Sequence, residues 1–295
     1  MKDLISLQNV TEKDILDIIN LAQKIKKSPS KYRIKLKNKV LLGIFEKPSL
    51  RTRLSFEVAM YQLGGHTIFY DLSNSPLGKG KESLEDTARV ISRYIDIVMA
   101  RVYSQESLVK LAKYGSVPVI NGLTDYEHPC QILGDLLTIK EKLRRISNIK
   151  IAYIGDAKNN VTHSLMFACS KLKIKMSIAC PKTMQPLIKV KGIEVTQDIN
   201  KAVKDSDIIY TDSWMSYQIP KSEHNKRIKI LKNYQVNSSV MNISKKALFM
   251  HCLPAQRGEE VTNDVIESKK SIVFDQVHNR LFIQKAVLLW CMNKV

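Results

Sequence analysis

Short apolar runs alternate with stretches of helical periodicity along most of the chain, and this alternation restricts the fold more than any other feature of the sequence. Residues 40–45, 67–70, 97–101 and 117–120 read as strands, each followed by a helical pattern. Such alternation produces a parallel sheet covered by helices, because parallel neighbours need a long crossover between them. A basic, polar stretch, Lys142 to Asn148, precedes a second series of strand candidates at 149–154, 175–179, 193–196, 207–211, 247–251 and 271–274. The reading is therefore α/β with two domains, each a mostly parallel sheet flanked by helices, divided between residues 145 and 146. A last helical pattern, 277–293, has a strongly apolar face suited to packing back on the first domain, so residues 277–295 are expected to return there. No apolar run is long enough to span a bilayer. The opening Met1-Lys2-Asp3-Leu4-Ile5-Ser6 lacks a leader-type apolar core, so a cytoplasmic protein with no membrane partner is expected.

The junction after the first strand, Phe45-Glu46-Lys47-Pro48-Ser49-Leu50-Arg51-Thr52-Arg53, carries the clearest chemistry. Ser49 or Thr52 can cap the following helix, whose first N–H groups then face outward and attract an anion. Arg51 and Arg53 add planar forks suited to phosphate. The duller reading is a capped helix with two solvated arginines, and the Gly-x4-Gly-Lys pattern of a P-loop is missing. Lys and Arg outnumber Asp and Glu by 47 to 28, a formal charge of +19 that suits nucleic acid and small anions equally. Nucleic acid is not expected as a partner. Aromatic residues are scattered without a stacking platform, and the basic stretch Lys221 to Lys229 reads as a solvated helix face.

Ligands of open α/β sheets bind outside the carboxyl ends of the strands, where Arg51, Arg101 and His128 would converge. Two later loops, from Thr211-Asp212 to Gln218 and from His251-Cys252 to Ala255, also follow strand candidates. Each residue has a plainer role open to it: His128 a helix start, Cys252 a buried thiol, Asp212 a loop cap, Arg101 a surface residue. The turn Gly155-Asp156-Ala157-Lys158-Asn159-Asn160 has one glycine where a dinucleotide site uses three. The five cysteines are far apart and form no C-x-x-C pair. Neither a cofactor nor a metal is expected.

Ser49-Leu50-Arg51-Thr52-Arg53, Asp86-Thr87-Ala88-Arg89-Val90, His128-Pro129-Cys130-Gln131 and His251-Cys252-Leu253-Pro254 together resemble the aspartate/ornithine carbamoyltransferase superfamily in order and spacing. Cys252, where the aspartate branch usually has Pro, favours the ornithine branch. The resemblance implies a carbamoyl-phosphate-binding domain (1–145), an amine-binding domain (146–276), and a homotrimer or an assembly of trimers. It implies transfer of a carbamoyl group from carbamoyl phosphate to the side-chain amine of L-ornithine, giving L-citrulline and phosphate. The alternative acceptors are putrescine, lysine or an acylated ornithine. Residues matching the carbamoyl-phosphate site are Ser49, Leu50, Arg51, Thr52, Arg101, His128, Gln131, Cys252, Leu253 and Arg280. Those matching the ornithine site are Asn160, Asp212, Ser216, Tyr217 and Cys252, with Arg51, Arg101, His128 and Cys252 implied in catalysis. Two departures stand out. Ser216-Tyr217-Gln218 replaces the usual Ser-Met-Gly, and the loop 75–81, which in relatives often supplies a Gln to a neighbouring subunit, has none.

Overall fold

The computed structural model describes residues 1–72, 81–215 and 219–295. The expected contacts Ser216 and Tyr217, and the loop at 75–80, lie outside them. The chain forms two compact units, Met1–Leu137 with His278–Val295, and Thr138–Val277.

In the first unit β1 (Val40–Phe45), β2 (His66–Asp71), β3 (Ile97–Arg101) and β4 (Val119–Leu123) form a four-stranded sheet in the order β2-β1-β3-β4. All three pairings are parallel. The central strands β1 and β3 are apolar because both their faces are covered. Leu42, Ile44, Val98 and Ala100 pack into one core with Leu108 and Leu111. The helices are α1 (Glu12–Lys27), α2 (Leu50–Gln62), α3 (Leu84–Ile91), α4 (Gln105–Tyr114) and α5 (Pro129–Leu143). Thr11 and Asp14 close a capping box at the start of α1. The N-terminal segment is anchored at Glu127, whose carboxylate accepts from the Ser6 hydroxyl and, at 2.9 Å, from the Leu7 N–H.

The second unit holds β5 (Lys150–Ile154), β6 (Lys175–Ala179), β7 (Ile193–Thr196), β8 (Ile208–Thr211) and β9 (Leu248–His251), again parallel, in the order β7-β6-β5-β8-β9. Its helices are α6 (Asn160–Lys171), α7 (Ile199–Val203), α8 (His224–Leu231), α9 (Ser238–Ile243) and α10 (Asn263–Ile266). Helix α11 (Val273–Cys291) starts in this unit, and from His278 onward its residues belong to the first. There the Lys2 N–H donates to the Cys291 carbonyl at 2.9 Å.

The expected strand at 271–274 is not formed. Ser271 makes one isolated bridge to Phe249, and α11 begins at Val273, four residues ahead of the predicted start at 277. The three-residue apolar run Ile272 to Phe274 does not separate strand from buried helix, and length decides in favour of the helix. The compact units divide after Leu137, inside α5, whereas the sequence suggested 145. A helix can run on through a change in composition. Among the described residues no helix is long and apolar enough to cross a membrane.

Candidate active site

In the first unit the chain order reverses between β1 and β3, which makes their carboxyl ends the ligand-binding crevice of an open sheet. Ser49, the N-cap of α2, accepts from the Thr52 N–H at 3.2 Å, so of the two candidates the structure uses Ser49. The first turn of α2 therefore opens at the end of β1 with the Leu50 and Arg51 N–H groups available to an anion. Arg101 ends β3, and its carbonyl accepts from the Glu46 N–H at 2.9 Å, which ties the two strand ends together. Arg280 reaches both flanking helices. Its Nη1 donates to Gln131 Oε1 at 2.6 Å and its Nη2 to Thr52 Oγ1 at 3.3 Å, while Gln131 Nε2 donates to Asp135 Oδ1 at 2.8 Å. The Gln131 amide is thus held in one orientation.

His128 lies at the centre of this group. Burial pushes its imidazole well below the ordinary histidine range, and the charges of Arg280, Arg101, Arg51 and Lys47 push it further. It is neutral at neutral pH and presents an uncharged imidazole among four cations. Unfolding returns it to the ordinary range, so the unfolded chain binds the proton first as pH falls. Stability therefore declines once pH drops below about 6.5, with a slope of up to about 1.4 kcal/mol per pH unit. Urea titrations between pH 7.5 and 5 are expected to show a shallower loss for His128→Asn than for the wild type.

Lys47 is a member of this centre that sequence reasoning missed. It is buried, pairs with Asp125 and lies 4.1 Å from the Tyr103 ring centroid. Burial is the main cause lowering its pKa, partly countered by Asp125. The available signal was its place between a strand and Pro48 in the junction itself. Arg53, by contrast, does not join the cradle. It is exposed, lies 4.0 Å from Glu57 and stacks over Phe69 at 4.7 Å. One residue along a helix turns the side chain by about 100°, which carries Arg53 off the face that holds Thr52.

In the second unit the order reverses between β5 and β8, and the remaining candidates lie at the carboxyl ends of β5, β8 and β9. Asn160 is the first residue of α6, which Asn159 caps by accepting from the Thr162 N–H at 2.8 Å. Asp212 follows β8, and its Oδ1 accepts from the Cys252 thiol at 2.8 Å and from the Ser213 N–H at 2.8 Å. Burial raises the Asp212 pKa, while His251, Cys252 and the Ser213 N–H act in the opposite direction. His251 is fully buried. Its Nδ1 accepts from the Leu253 N–H at 2.9 Å, and its Nε2 lies 3.3 Å from Glu260 Oε1. Leu253 has φ of 56°, a left-handed conformation that costs a non-glycine residue about 1 kcal/mol. The bond to His251 and packing against the core of the unit hold it there.

Sequence spacing gave no metal cluster, yet the fold brings ligand atoms of Asp212, His251 and Cys252 within 4.8 Å of one another. A cation there would have to displace the thiol proton from its bond to Asp212. Cys252 and Asp212 already serve one another, and His251 Nδ1 is taken up by the Leu253 N–H.

The family description "Aspartate/ornithine carbamoyltransferase, carbamoyl-P binding domain" matches residues 2–141, and "Aspartate/ornithine carbamoyltransferase, Asp/Orn binding domain" matches residues 147–291. The chain is 46% identical over 310 residues to the protein named ornithine carbamoyltransferase, anabolic, of Pyrococcus furiosus, covering 100% of this chain and 97% of that one. It is 45% identical over 300 residues to an ornithine carbamoyltransferase of Methanococcus maripaludis, covering 97% and 98%. A solved ornithine carbamoyltransferase structure from Pyrococcus furiosus superposes with a TM-score of 0.94 at 46% identity, covering 100% and 98%. One from Giardia lamblia does so with 0.88 at 38%, covering 98% of each chain. With both of its halves matched, in order and at full length, the chain belongs to the aspartate/ornithine carbamoyltransferase family.

Proposed function

We infer that this chain transfers the carbamoyl group of carbamoyl phosphate to the side-chain amine of L-ornithine, releasing L-citrulline and phosphate. The observation that carries the reading is the group of four cations around a neutral imidazole at the N-terminus of α2. In this reading the N–H groups of Leu50 and Arg51 and the Arg51 fork hold the phosphate, with Ser49 fixing the turn through its bond to the Thr52 N–H. Arg101, His128 and the Thr52 hydroxyl face the carbonyl oxygen, which gains negative charge as the tetrahedral centre forms. A neutral His128 suits that task as a hydrogen-bond donor that does not give up its proton. Arg280 and Gln131 keep Thr52 in place.

On the acceptor side, Asp212 holds the α-ammonium and Asn160 the α-carboxylate. Making an alkyl amine neutral at pH 7 costs on the order of 4–5 kcal/mol, because its pKa is about 10.4. Cys252 orients the amine and shields it from water, and the departing phosphate takes the final proton. Leu253 follows Cys252 in the same loop. Ornithine is preferred to putrescine, lysine or an acylated ornithine because relatives bearing that name share 46–47% identity along the whole chain.

We further propose a homotrimer. β2 is an edge strand, and Ile68 and Tyr70 on it, Leu54 and Tyr61 on α2, and Tyr94 beyond α3 are exposed. An apolar edge of this kind is usually covered by another chain. Incubating the protein with carbamoyl phosphate and a panel of amines is expected to give citrulline from ornithine together with free phosphate. Light scattering on the same sample should give the mass of three chains. A product from a different amine, with none from ornithine, would reject the assignment.

A further inference from the structure

Helix α8 lies in the basic stretch that reads as a solvated face, and its Lys226 and Lys229 are indeed exposed without an ion pair among the described residues. Arg227 departs from that pattern. Its side chain is largely withdrawn from solvent, its Nε donates to the Trp214 carbonyl at 2.9 Å and its Nη2 pairs with the Asp156 carboxylate. Both partners are themselves buried, Asp156 at 5% exposure and Trp214 at 1%.

Each partner belongs to a loop that carries an acceptor-binding residue. The Asp156 carbonyl accepts from the Tyr153 hydroxyl at 2.8 Å and from Asn159 Nδ2 at 2.7 Å, and its Oδ1 accepts from the Lys158 N–H at 2.9 Å. Asn159 in turn caps α6. Asp156 therefore fixes the turn from which Asn160 emerges. Trp214 is two residues beyond Asp212 in a turn closed by the Ser213 N–H to Asp212 Oδ1 at 2.8 Å and the Met215 N–H to Ser213 Oγ at 3.2 Å. The two loops also touch directly. Gly155 has φ of +121°, and a Cβ there would lie 3.1 Å from Trp214 Nε1.

We propose that Arg227 is a positioning residue of the acceptor site. One guanidinium holds the loop after β5 to the loop after β8, and so sets the distance between Asn160 and Asp212 that fits the carboxylate and ammonium of an α-amino acid. An arginine fork suits this because it offers two donors at a fixed angle, one for a carbonyl and one for a carboxylate, which lysine's point charge does not. The inference rests on the reading that the second unit binds the acceptor.

Steady-state kinetics of the full chain test it, using Arg227→Gln, Arg227→Lys and Asp156→Asn. For Arg227→Gln, KM for ornithine is expected to rise at least tenfold, with KM for carbamoyl phosphate within twofold of wild type. Inhibition by L-norvaline, which has the α-amino-acid head but no side-chain amine, should weaken by the same factor as ornithine binding. Arg227→Lys should recover only part of the loss, and Asp156→Asn should reproduce it. Variants that keep the wild-type KM for ornithine, or that lose melting temperature and active fraction with both KM values unchanged, would overturn the proposal. If Arg227→Gln fails to fold, the same two measurements on Arg227→Lys and Asp156→Asn decide. A wild-type enzyme that makes no citrulline would reject the functional assignment itself, a result distinct from any variant's.

Discussion

Arg51→Ala is expected to lower kcat/KM for carbamoyl phosphate by roughly 10²- to 10⁴-fold. Arg51 stands in the first turn of α2, half-buried, with no ion-pair partner among the described residues. Its charge is felt at His128, so it lies near the same centre as Arg101 and Arg280. A cation in that position, next to a helix N-terminus, is arranged for an anion from outside the protein. Two charge-assisted hydrogen bonds to a phosphate contribute about 1.5–3 kcal/mol each, and each 1.36 kcal/mol is a factor of ten, which gives the range stated. Both kcat and affinity should suffer, because in the proposed role the same contacts hold the substrate and stabilise the leaving group. Steady-state turnover is the check, and near-normal kcat/KM would remove the role. Arg53→Ala, two residues away, serves as the internal control. Arg53 is exposed beside Glu57 and Phe69, so its loss should leave kinetics unchanged.

Asp212→Asn is expected to move activity and stability in opposite directions. The carboxylate is proposed to bind the acceptor's α-ammonium, and losing one or two charged hydrogen bonds should raise KM for ornithine by roughly 10- to 10⁴-fold. KM for carbamoyl phosphate should stay near the wild-type value. Stability follows from the raised pKa. Between the ordinary aspartate value and the higher folded value, the folded chain binds more protons than the unfolded one, so stability falls as pH rises through that window. Above that window the buried Asp212 carboxylate is a net cost to the fold. An asparagine Oδ1 can still accept from the Ser213 N–H and the Cys252 thiol, so the variant keeps those bonds without the buried charge. Its melting temperature at pH 7 should therefore exceed that of the wild type. A lower melting temperature together with unchanged KM values would contradict both halves of this account. Active sites commonly hold groups that the fold would be more stable without, and Asp212 has the environment of one.

Burial and the cations of the first unit explain why His128 stays uncharged. A protonated imidazole would add a fifth positive charge to a buried group, and both burial and its neighbours oppose this. The neutral ring is the form in which His128 is proposed to donate to the developing oxyanion.

The sequence by itself determined the class of fold and the ends of the strands where chemistry would be found. Apolar runs alternating with helical periodicity specify buried parallel strands, and both sheets are parallel throughout. Capping residues are likewise local, so a serine before α2 and an asparagine before α6 can be read from the chain. Tertiary structure decided which side chains meet. Arg280 touches Thr52 from 228 residues away, Arg227 reaches Asp156 across 71, and Cys252 meets Asp212 across 40. Arg53 and Arg227 show the limit from both sides. A cation in a promising motif turned to the surface, and one in an apparently solvated run is largely withdrawn from solvent. Periodicity reports which face of an element is covered, because backbone geometry repeats locally. The partner of a charged side chain depends on how distant elements stack, and no local pattern records that.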